Sequence, residues 1–465
     1  MITTQSLMLR RFSSMLLFVF AFLQTSLAFA ELDLTILKGE DEDTYVRLDF
    51  QAVTAQFIQD NPWGGESEVF LGGDTSYWSE YGFEPGVEGK FRFGDAGMSL
   101  TGRVSGVWTK TRRLDSAGSN FGDTSNSDIT LEDAYLKWTS GSLFSGLGQD
   151  ALEISLGSQA YQVGNGFLIF DGASDGGERG GFWLGLRSAF DMAGIVRLTT
   201  GNWMVEAVYL DPDDVPDSNT KVGGTNIEYT LGDAGVVGGG YWNIYESDND
   251  ARDGLSVFDI RADLTPFENR AVSLAGEFVK EKNGKLNDSW AAYGQVGYDF
   301  GLGEDVTLKP AVSYRYANFS GDNLDSDTDN SFDPLFYGFN DWNEWYIGEI
   351  TGEYIAGNSN FNAQTVKVAV KPTNSITAYF FYHYFRLNEF TDNLIPRPPL
   401  PPVGSGAIEN KSFGHEVNLI MDWAVTDHFN VSATANILVP AEGGRDFFGS
   451  SDNWMLAMLW AQVKF

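Results

Sequence analysis

From about Thr44 to the last residue, short segments of the chain alternate apolar and polar residues one by one. Between residues 46 and 51, Val, Leu and Phe alternate with Arg, Asp and Gln, and residues 429–437 alternate Phe, Val, Ala and Ile with Asn, Ser and Thr. Successive side chains of a strand point to opposite faces, so each segment predicts a strand with one apolar and one polar face. The pattern therefore predicts an all-β protein.

The lengths of the connections indicate where the apolar faces point. A soluble sandwich turns them inward, whereas a membrane barrel turns them toward lipid. Tight connections such as 94–97 and 231–234 alternate with long polar ones such as 161–186 and 320–360. Short periplasmic turns that alternate with long outer loops are typical of outer-membrane barrels. We therefore expect a transmembrane antiparallel β-barrel of 16–18 strands around an aqueous lumen, since barrels of about this size leave an open channel.

The alternating segments number eighteen, and an even number of strands predicts that both termini are periplasmic. The predicted strands begin near Thr44, Phe83, Met98, Ile129, Ala151, Arg187, Asn202, Gly223, Ala234, Leu255, Ala271, Ser289, Val306, Phe361, Ile376, Lys411, Phe429 and Trp454.

The two ends of the chain fit export to the outer membrane. Arg10 and Arg11 precede a short apolar stretch, and residues 28–30 read Ala-Phe-Ala, which predicts a secretory signal peptide over residues 1–30. Residues 31–465 then form a single barrel domain with long extracellular loops, surrounded by outer-membrane lipid and lipopolysaccharide. The last strand ends on Phe465, and a terminal aromatic residue resembles the signal that the barrel-assembly machinery recognises, so that machinery is an expected partner.

Composition excludes several classes of function. The chain has 64 acidic and 30 basic residues, a net charge of −34, which becomes −36 without the two arginines of the leader. Such a surface repels nucleic acid, and we expect no nucleic-acid partner. The chain has no cysteine, which excludes disulfides, thiolate metal sites and a cysteine nucleophile. Aromatic residues at 14% and 53 glycines suit strands with interfacial girdles and turns.

The polar faces of the predicted strands carry the candidate pore-lining charges. Eleven acids share these faces, so the wall is near neutral. Arginine side chains in a lumen can hold carboxylate or phosphate groups and select anions. Alternatively, they pair with neighbouring acids and only hold the wall together, and neutral saccharides also suit a mixed wall. The cations predicted to line the pore and bind substrate are Arg47, Lys90, Arg92, Arg103, Lys137, Arg197, Arg261, Lys309, Arg315 and Lys367.

Two other groups of residues suggest chemistry of their own. Asp325, Asp327 and Asp329 alternate as in a calcium loop, although the expected glycine and final glutamate are missing, so a solvated acidic loop is the alternative. We expect no other cofactor. Ser412 and His415, followed by Glu416, are the only local candidates for hydrolysis, but Ser412 lies outside any recognisable nucleophile motif. We therefore expect no enzymatic activity.

The glycines between residues 161 and 186 predict an unusually flexible connection. Such a loop can fold inward and constrict a pore, although an external loop is the commoner outcome.

Three stretches resemble the alginate export family of eighteen-stranded outer-membrane porins. Residues 156–166, Leu-Gly-Ser-Gln-Ala-Tyr-Gln-Val-Gly-Asn-Gly, are similar to the family's Gly-Arg-Gln strand and glycine turn. Residues 187–198 resemble its next arginine-bearing strand, and residues 333–336, Asp-Pro-Leu-Phe, resemble a motif of a late loop. One departure is Ser158, where the family often has arginine; if that arginine faces the lumen, strict polyuronate selectivity is in doubt.

The resemblance implies an outer-membrane porin that passes small or oligomeric solutes, with anionic saccharides such as alginate-like polyuronates as expected cargo. The alternative is a non-conducting barrel that acts as a scaffold or as a surface-binding protein.

Overall fold

The computed structural model describes most of the chain beyond the predicted signal peptide, which lies outside the described residues. The described residues are 34–39, 43–69, 75–115, 125–174, 177–284, 287–301, 308–322, 328–338, 342, 345–390 and 408–465.

Eighteen antiparallel strands form a closed barrel, as the alternation predicts. Each strand pairs with its neighbours in the chain, and the last strand pairs with the first, from Gln51 with Lys464 to Asp60 with Met455. The barrel strands are β1 Tyr45–Asp60, β2 Thr75–Phe93, β3 Met98–Arg112, β4 Ser127–Thr139, β5 Leu152–Gln159, β6 Phe190–Thr200, β7 Trp203–Asp211, β8 Lys221–Thr230, β9 Gly235–Glu246, β10 Ser256–Leu264, β11 Val272–Asn283, β12 Asn287–Asp299, β13 Ala311–Phe319, β14 Phe361–Thr373, β15 Ile376–Leu387, β16 Ser412–Thr426, β17 Phe429–Pro440 and β18 Trp454–Lys464.

The two ends of the barrel differ in their connections. One end, here called the turn end, carries tight turns such as the one between Thr200 and Trp203. β1 begins and β18 ends at this end of the barrel. The other end, the loop end, carries the long connections, including 160–189 and 320–360, although the connection between Asn283 and Asn287 at this end is short. The alternation of connection lengths thus holds for most connections, with the twelve-residue connection between Thr139 and Leu152 at the turn end as a further exception. The compartment that each end faces stays a prediction.

The outward face is apolar, as lipid requires. Leu136, Ile260 and Leu419 are among many outward aliphatic side chains that are exposed on the isolated chain. Exposed aromatic side chains occur toward both ends of the strands, for example Trp203 at the turn end and Tyr245 at the loop end. This distribution forms the aromatic girdles of a transmembrane barrel.

The inward face departs from the expectation of a polar wall around an open lumen. In the loop half of the strands, inward side chains such as Phe57, Trp78, Trp242 and Phe319 are completely buried in one large apolar core. This core exists because two connections fold into the barrel and cover these positions. The turn half keeps the solvent-accessible charged face that the alternation predicts, whereas inward acids of the loop half such as Glu80 and Glu416 are buried.

Several shorter strands and helices lie outside the eighteen barrel strands. The strand Thr35–Lys38 pairs with β1 beyond the end of β18. The two-residue strands Ala173–Ser174 and Asp213–Asp214 pair in parallel. Short 3-10 helices span Pro62–Val69, Phe182–Leu184 and Gly232–Ala234, a π-helical turn spans Thr351–Ala356 and an α-helix spans Glu442–Phe448.

No helix in the described part of the chain has the length and apolarity needed to cross a membrane.

Candidate functional site

The connection between β5 and β6, residues 160–189, is here called the first inner loop, and most of its described residues lie inside the barrel. Phe167, Leu168 and Ile169 are completely buried there. Burial of a large apolar side chain contributes about 1.5–3 kcal/mol, so these residues hold the loop firmly. The glycine-rich loop therefore folds inward, although an external loop is the commoner outcome for such a sequence.

Buried acids on the wall accept hydrogen bonds from the backbone of the first inner loop. The Glu80 carboxylate accepts from the Trp183 amide at 2.9 Å. One oxygen of Glu132 accepts from the Ser188 and Ala189 amides at 2.8 and 2.9 Å. A carboxylate is the strongest available acceptor for such amides, so each acid fixes the position of the loop.

Glycine is required where this loop touches the wall. Gly181 has a φ of +69°, and a Cβ there would lie 2.8 Å from the Cβ of Thr109. At Gly180, with a φ of +73°, a Cβ would lie 2.6 Å from the carbonyl oxygen of Asn126. These glycines allow close backbone approach in a conformation that other residues rarely adopt. They serve packing rather than the flexibility that the sequence indicated.

The connection between β13 and β14, residues 320–360, is here called the second inner loop, and most of its described residues lie inside the barrel. Trp345, Ile347 and Ile350 are buried. The Glu416 carboxylate of β16 accepts hydrogen bonds from the Ile350 amide at 2.9 Å and the Thr351 amide at 2.7 Å. One wall acid therefore holds the start of the π-helical turn in place.

The two inner loops are joined to each other. The Phe170 amide donates to the Phe336 carbonyl at 2.7 Å, and the Phe336 amide donates to the Leu168 carbonyl at 3.1 Å. Asp333 accepts two hydrogen bonds of 2.6 Å from Arg252 in the connection between β9 and β10. The family-like residues 333–336 are thus the point at which both loops meet.

In the turn half of the barrel, the inward face carries ion pairs between neighbouring strands. Arg103 contacts Asp49 at 2.7 Å, Glu84 at 3.0 Å and Asp133. Because acids lie beside Arg103, this part of the wall does not separate positive and negative charges along the barrel axis, as simple anion selection by rings of cations would require.

Other pairs of the same kind continue around the wall. Arg197 contacts Glu206 at 2.7 Å and Glu153 at 3.3 Å, and Lys137 contacts Glu153 at 3.6 Å. Further pairs join Arg261 with Asp259 at 2.6 Å and with Glu228 at 2.7 Å.

In two wall ion pairs, Arg197 with Glu206 and Arg47 with Glu88, the two charges lie at different depths. The Arg197 side chain is 40% exposed, whereas its partner Glu206 is 2% exposed. The Arg47 side chain is 52% exposed and its partner Glu88 16%. In these two pairs the acid lies behind the cation, so the guanidinium group forms more of the surface that a solute meets.

The order is reversed in one other wall pair, since Arg261 is more buried than its partner Glu228.

The remaining predicted cations occupy varied positions. Lys90 is half-buried on β2, and Arg92 is exposed and paired with Asp43. Lys367 donates to the Trp342 carbonyl at 2.7 Å and so lies against the second inner loop.

Two of the predicted pore-lining cations, Lys309 and Arg315, lie elsewhere in the structure. Lys309 lies in the turn before β13 rather than on a strand, because β13 begins only at Ala311. Arg315 is on the inward face but covered by the second inner loop: it donates to the Tyr346 carbonyl and its guanidinium lies 4.3 Å from the centroid of the Trp345 ring. It is 5% exposed, so it positions that loop instead of lining open lumen.

A cavity of about 190 Å³ lies between both inner loops and the seam where β1 and β18 close the barrel. The first inner loop contributes Trp183, the second contributes Trp342 and Glu349, and the wall contributes Trp460 and Gln462. The wall residues belong to the turn-side portion of β18, so the cavity lies on the turn side of the loops.

A rise in pH above the ordinary glutamate pKa is expected to weaken docking of the second inner loop. Burial raises the pKa of the Glu349 carboxyl well above its usual range, and the nearby Glu416 and Glu353 carboxylates raise it further. Below the ordinary glutamate pKa, this carboxyl is neutral whether the loop is docked or released, and docking keeps its full stability. As the pH rises toward the raised pKa, ionisation favours the released loop. Single-channel conductance should therefore rise more steeply with pH in the wild type than in Glu349→Gln; equal pH dependence would contradict this.

The other predicted sites have different outcomes. Asp325 and Asp327 lie outside the described residues, and Asp329 accepts a hydrogen bond from the Ser331 amide at 2.8 Å, so calcium binding stays a prediction. Among the described residues, no group of three or more His, Asp or Glu side chains is arranged to hold a metal ion.

The residues considered for hydrolysis contact other partners. Tyr384 donates to Ser412 at 3.1 Å, and the Tyr382 hydroxyl lies 2.8 Å from Nδ1 of His415. Glu416 points to the opposite face of the strand from His415 and binds the second inner loop. These contacts do not assemble the serine–histidine–acid relay that hydrolysis would need.

The departure at Ser158 has no bearing on the lumen. Ser158 pairs with Ala134, which pairs with the exposed Val104 in the outward-facing row. Its hydroxyl donates to the Glu132 carbonyl. An arginine missing at this position removes no charge from the inner wall.

Solved structures with the same architecture are outer-membrane porins. OpdK of Pseudomonas aeruginosa with vanillate aligns with a TM-score of 0.55 and 10% identity, covering 90% of this chain and 98% of that chain. OccK2 (OpdF) of the same organism, in complex with glucuronate, aligns with a TM-score of 0.54 and 11% identity, covering 90% and 98%. OccAB4 of Acinetobacter baumannii aligns with a TM-score of 0.55 and 12% identity, covering 92% and 100%. At these identities the likeness establishes the fold.

No curated protein matches the chain by sequence. The sequence model of the family described as alginate export matches residues 92–449, which is most of the chain. Together with the closed barrel and its loop-filled lumen, this match identifies an outer-membrane channel for small solutes, and the chain belongs to the alginate export family.

Proposed function

We propose that this channel prefers solutes that carry a carboxylate, with uronic-acid saccharides of the alginate type as its cargo. The observation that carries the proposal is the depth difference in two wall ion pairs, Arg47 with Glu88 and Arg197 with Glu206. Arg47 and Arg197 are each far more exposed than the acids that pair with them.

The depth difference favours anions even though the wall is nearly neutral. A guanidinium has five N–H donors, and its bonds to a buried acid leave further donors toward the lumen. Unit charges about 4 Å apart interact with roughly 4 kcal/mol at an effective dielectric near 20. A solute carboxylate can approach the exposed guanidinium more closely than the acid behind it, so attraction exceeds repulsion.

Ligands of proteins with the same fold support a carboxylate-bearing cargo. Glucuronate is bound to OccK2 (OpdF), and vanillate to OpdK. Both molecules pair a six-membered ring with a carboxylate, which is also the chemistry of one alginate residue.

Reversal potentials in a potassium chloride gradient test the proposal. We expect the wild type to favour chloride, and the variant Arg47→Gln/Arg197→Gln to shift toward potassium. Loss of about 1 kcal/mol of attraction, the bulk-water value at 4 Å, corresponds to roughly a fivefold change in the permeability ratio.

A matched control removes a cation outside the lumen. Arg270, in a connection at the turn end, is exposed and pairs with the exposed Asp233. Arg270→Gln should leave the reversal potential unchanged. Anion preference through Arg47 and Arg197 is rejected if the double variant behaves like this control.

A further inference from the structure

We infer that the cavity between the inner loops and the barrel seam is a subsite for one pyranose ring, held against tryptophan side chains. The inference deepens the proposed function and rests on its saccharide cargo, but it depends on aromatic surface rather than on the arginines.

The composition of the cavity matches the chemistry of a sugar ring. Trp183, Trp342 and Trp460 supply aromatic surface, and Asn430, Gln462 and Glu349 supply polar groups. A pyranose has patches of C–H groups on its faces and hydroxyl groups around its rim, so it needs both kinds of surface. Sites of this kind commonly combine aromatic walls with a few placed polar groups.

Hydrogen bonds fix two of the three indole rings and occupy the single N–H donor of each. The Trp342 Nε1 donates to Asp422 at 2.7 Å, and the Trp460 Nε1 donates to the Trp183 carbonyl at 3.2 Å. Since each indole has a single donor, these rings have only carbon surface left to offer the cavity.

The rings also leave room for a guest. The centroids of Trp342 and Trp460 are 6.1 Å apart, with their planes inclined at 53°, so the two faces diverge rather than stack on each other. The cavity volume of about 190 Å³ suits one sugar ring.

Polar groups beside the tryptophans can bind hydroxyls. Asn430 lies at the start of β17 and is exposed. Gln462 donates to Gln51 at 3.3 Å, which leaves its own oxygen as an acceptor. A single ring could therefore contact indole surface and amide groups together.

The position of the cavity gives the subsite a role in transport. The cavity contacts both inner loops and the turn-side wall, so it lies at the boundary between the loop-filled half and the charged half of the lumen. Weak binding at this point would slow a sugar relative to a salt ion, which is how a channel gains specificity without blocking release.

Interruptions of single-channel current by added sugar test the subsite. The probes are glucuronate, neutral methyl glucoside and lactate, which has a carboxylate but no ring. In the wild type, both ring compounds should cause resolvable interruptions and lactate should not. Trp460→Leu and Trp342→Leu should shorten the interruptions by about tenfold, the effect of an aromatic contact near 1.4 kcal/mol.

The control Trp342→Phe keeps an aromatic ring and should retain most of the interruption time. Asn430→Leu, which leaves all three tryptophans intact, should shorten it for both ring compounds. Heat-dependent gel mobility confirms folding of each variant. The subsite is rejected if both leucine variants match the wild type, or if lactate interrupts the current as the sugars do.

Failure of the subsite and failure of the proposed anion preference give different results. The tryptophan variants should leave the reversal potential in potassium chloride unchanged, whereas the Arg47 and Arg197 variants should leave interruptions by methyl glucoside unchanged. A normal reversal potential with lost sugar interruptions therefore reports the subsite alone.

Discussion

Replacing Glu416 with alanine is expected to raise the single-channel conductance several-fold. The Glu416 carboxylate accepts hydrogen bonds from the amides of Ile350 and Thr351, and it is completely buried. A hydrogen bond to a charged group contributes about 1.5–3 kcal/mol, and its loss leaves buried amides without an acceptor. Release of the second inner loop would then open part of the loop-filled half of the lumen.

A control on the same strand pair separates this effect from a general loss of charge. Asp427 lies in the exposed turn between β16 and β17, and Asp427→Ala should conduct like the wild type. Glu416→Gln keeps one acceptor oxygen and should fall between the two. An unchanged conductance in Glu416→Ala, with the barrel intact, would show that the acid does not hold the loop closed.

Replacing Arg103 with methionine is expected to shift the ion selectivity of the channel toward cations and to destabilise the barrel. Arg103 is the common partner of Asp49, Glu84 and Asp133, three acids that would be left side by side. Removing one partner of a buried ion pair costs about 3–5 kcal/mol, and the partial exposure of Arg103 places the expected loss near 3 kcal/mol. The unpaired acids should draw cations, so the reversal potential should move toward potassium.

Neutralising one acid provides the matching rescue. Asp133→Asn in the Arg103→Met background should recover part of the stability and part of the anion preference, because fewer like charges remain. Arg103→Lys should keep the selectivity but bind fewer acids at once. A reversal potential unchanged in Arg103→Met, despite a folded barrel, would mean that these acids are remote from the conduction path.

Sequence patterning was sufficient for the barrel but not for its interior. Strand starts agree closely except at β2, which begins at Thr75 rather than near Phe83, and at β13, which begins at Ala311 rather than near Val306. The first residues of β2 show no clear alternation of apolar and polar residues, because the apolar Trp78 lies on the inward face. An apolar residue on the inner face cannot be distinguished by periodicity from one that faces lipid.

The inward folding of the loops could be predicted only in part. Glycines at 180 and 181 suggested a mobile loop, but their role depends on contacts with distant strands. A usable signal was the run Trp-Tyr-Ile from Trp345 to Ile347, since an external loop has no reason to carry so many large apolar residues. The function of Glu416 could not be inferred, because its partners are backbone amides about 65 residues earlier in the chain.

The relative burial of the two charges in an ion pair could not be predicted from the sequence either. Strand parity placed Arg47 and Arg197 on the inner face, and the structure agrees, but it gave no information on which member of an ion pair is covered. That depth depends on the tilt of the strands and on the length of each side chain.

Liposome swelling with glucuronate, glucose and glucosamine tests the central claim most directly, because the three solutes share a ring size and differ in charge. We expect the fastest swelling with glucuronate, then glucose, then glucosamine. Swelling fastest with glucosamine would contradict the anion preference, and no swelling with any of the three would contradict a channel for small sugars.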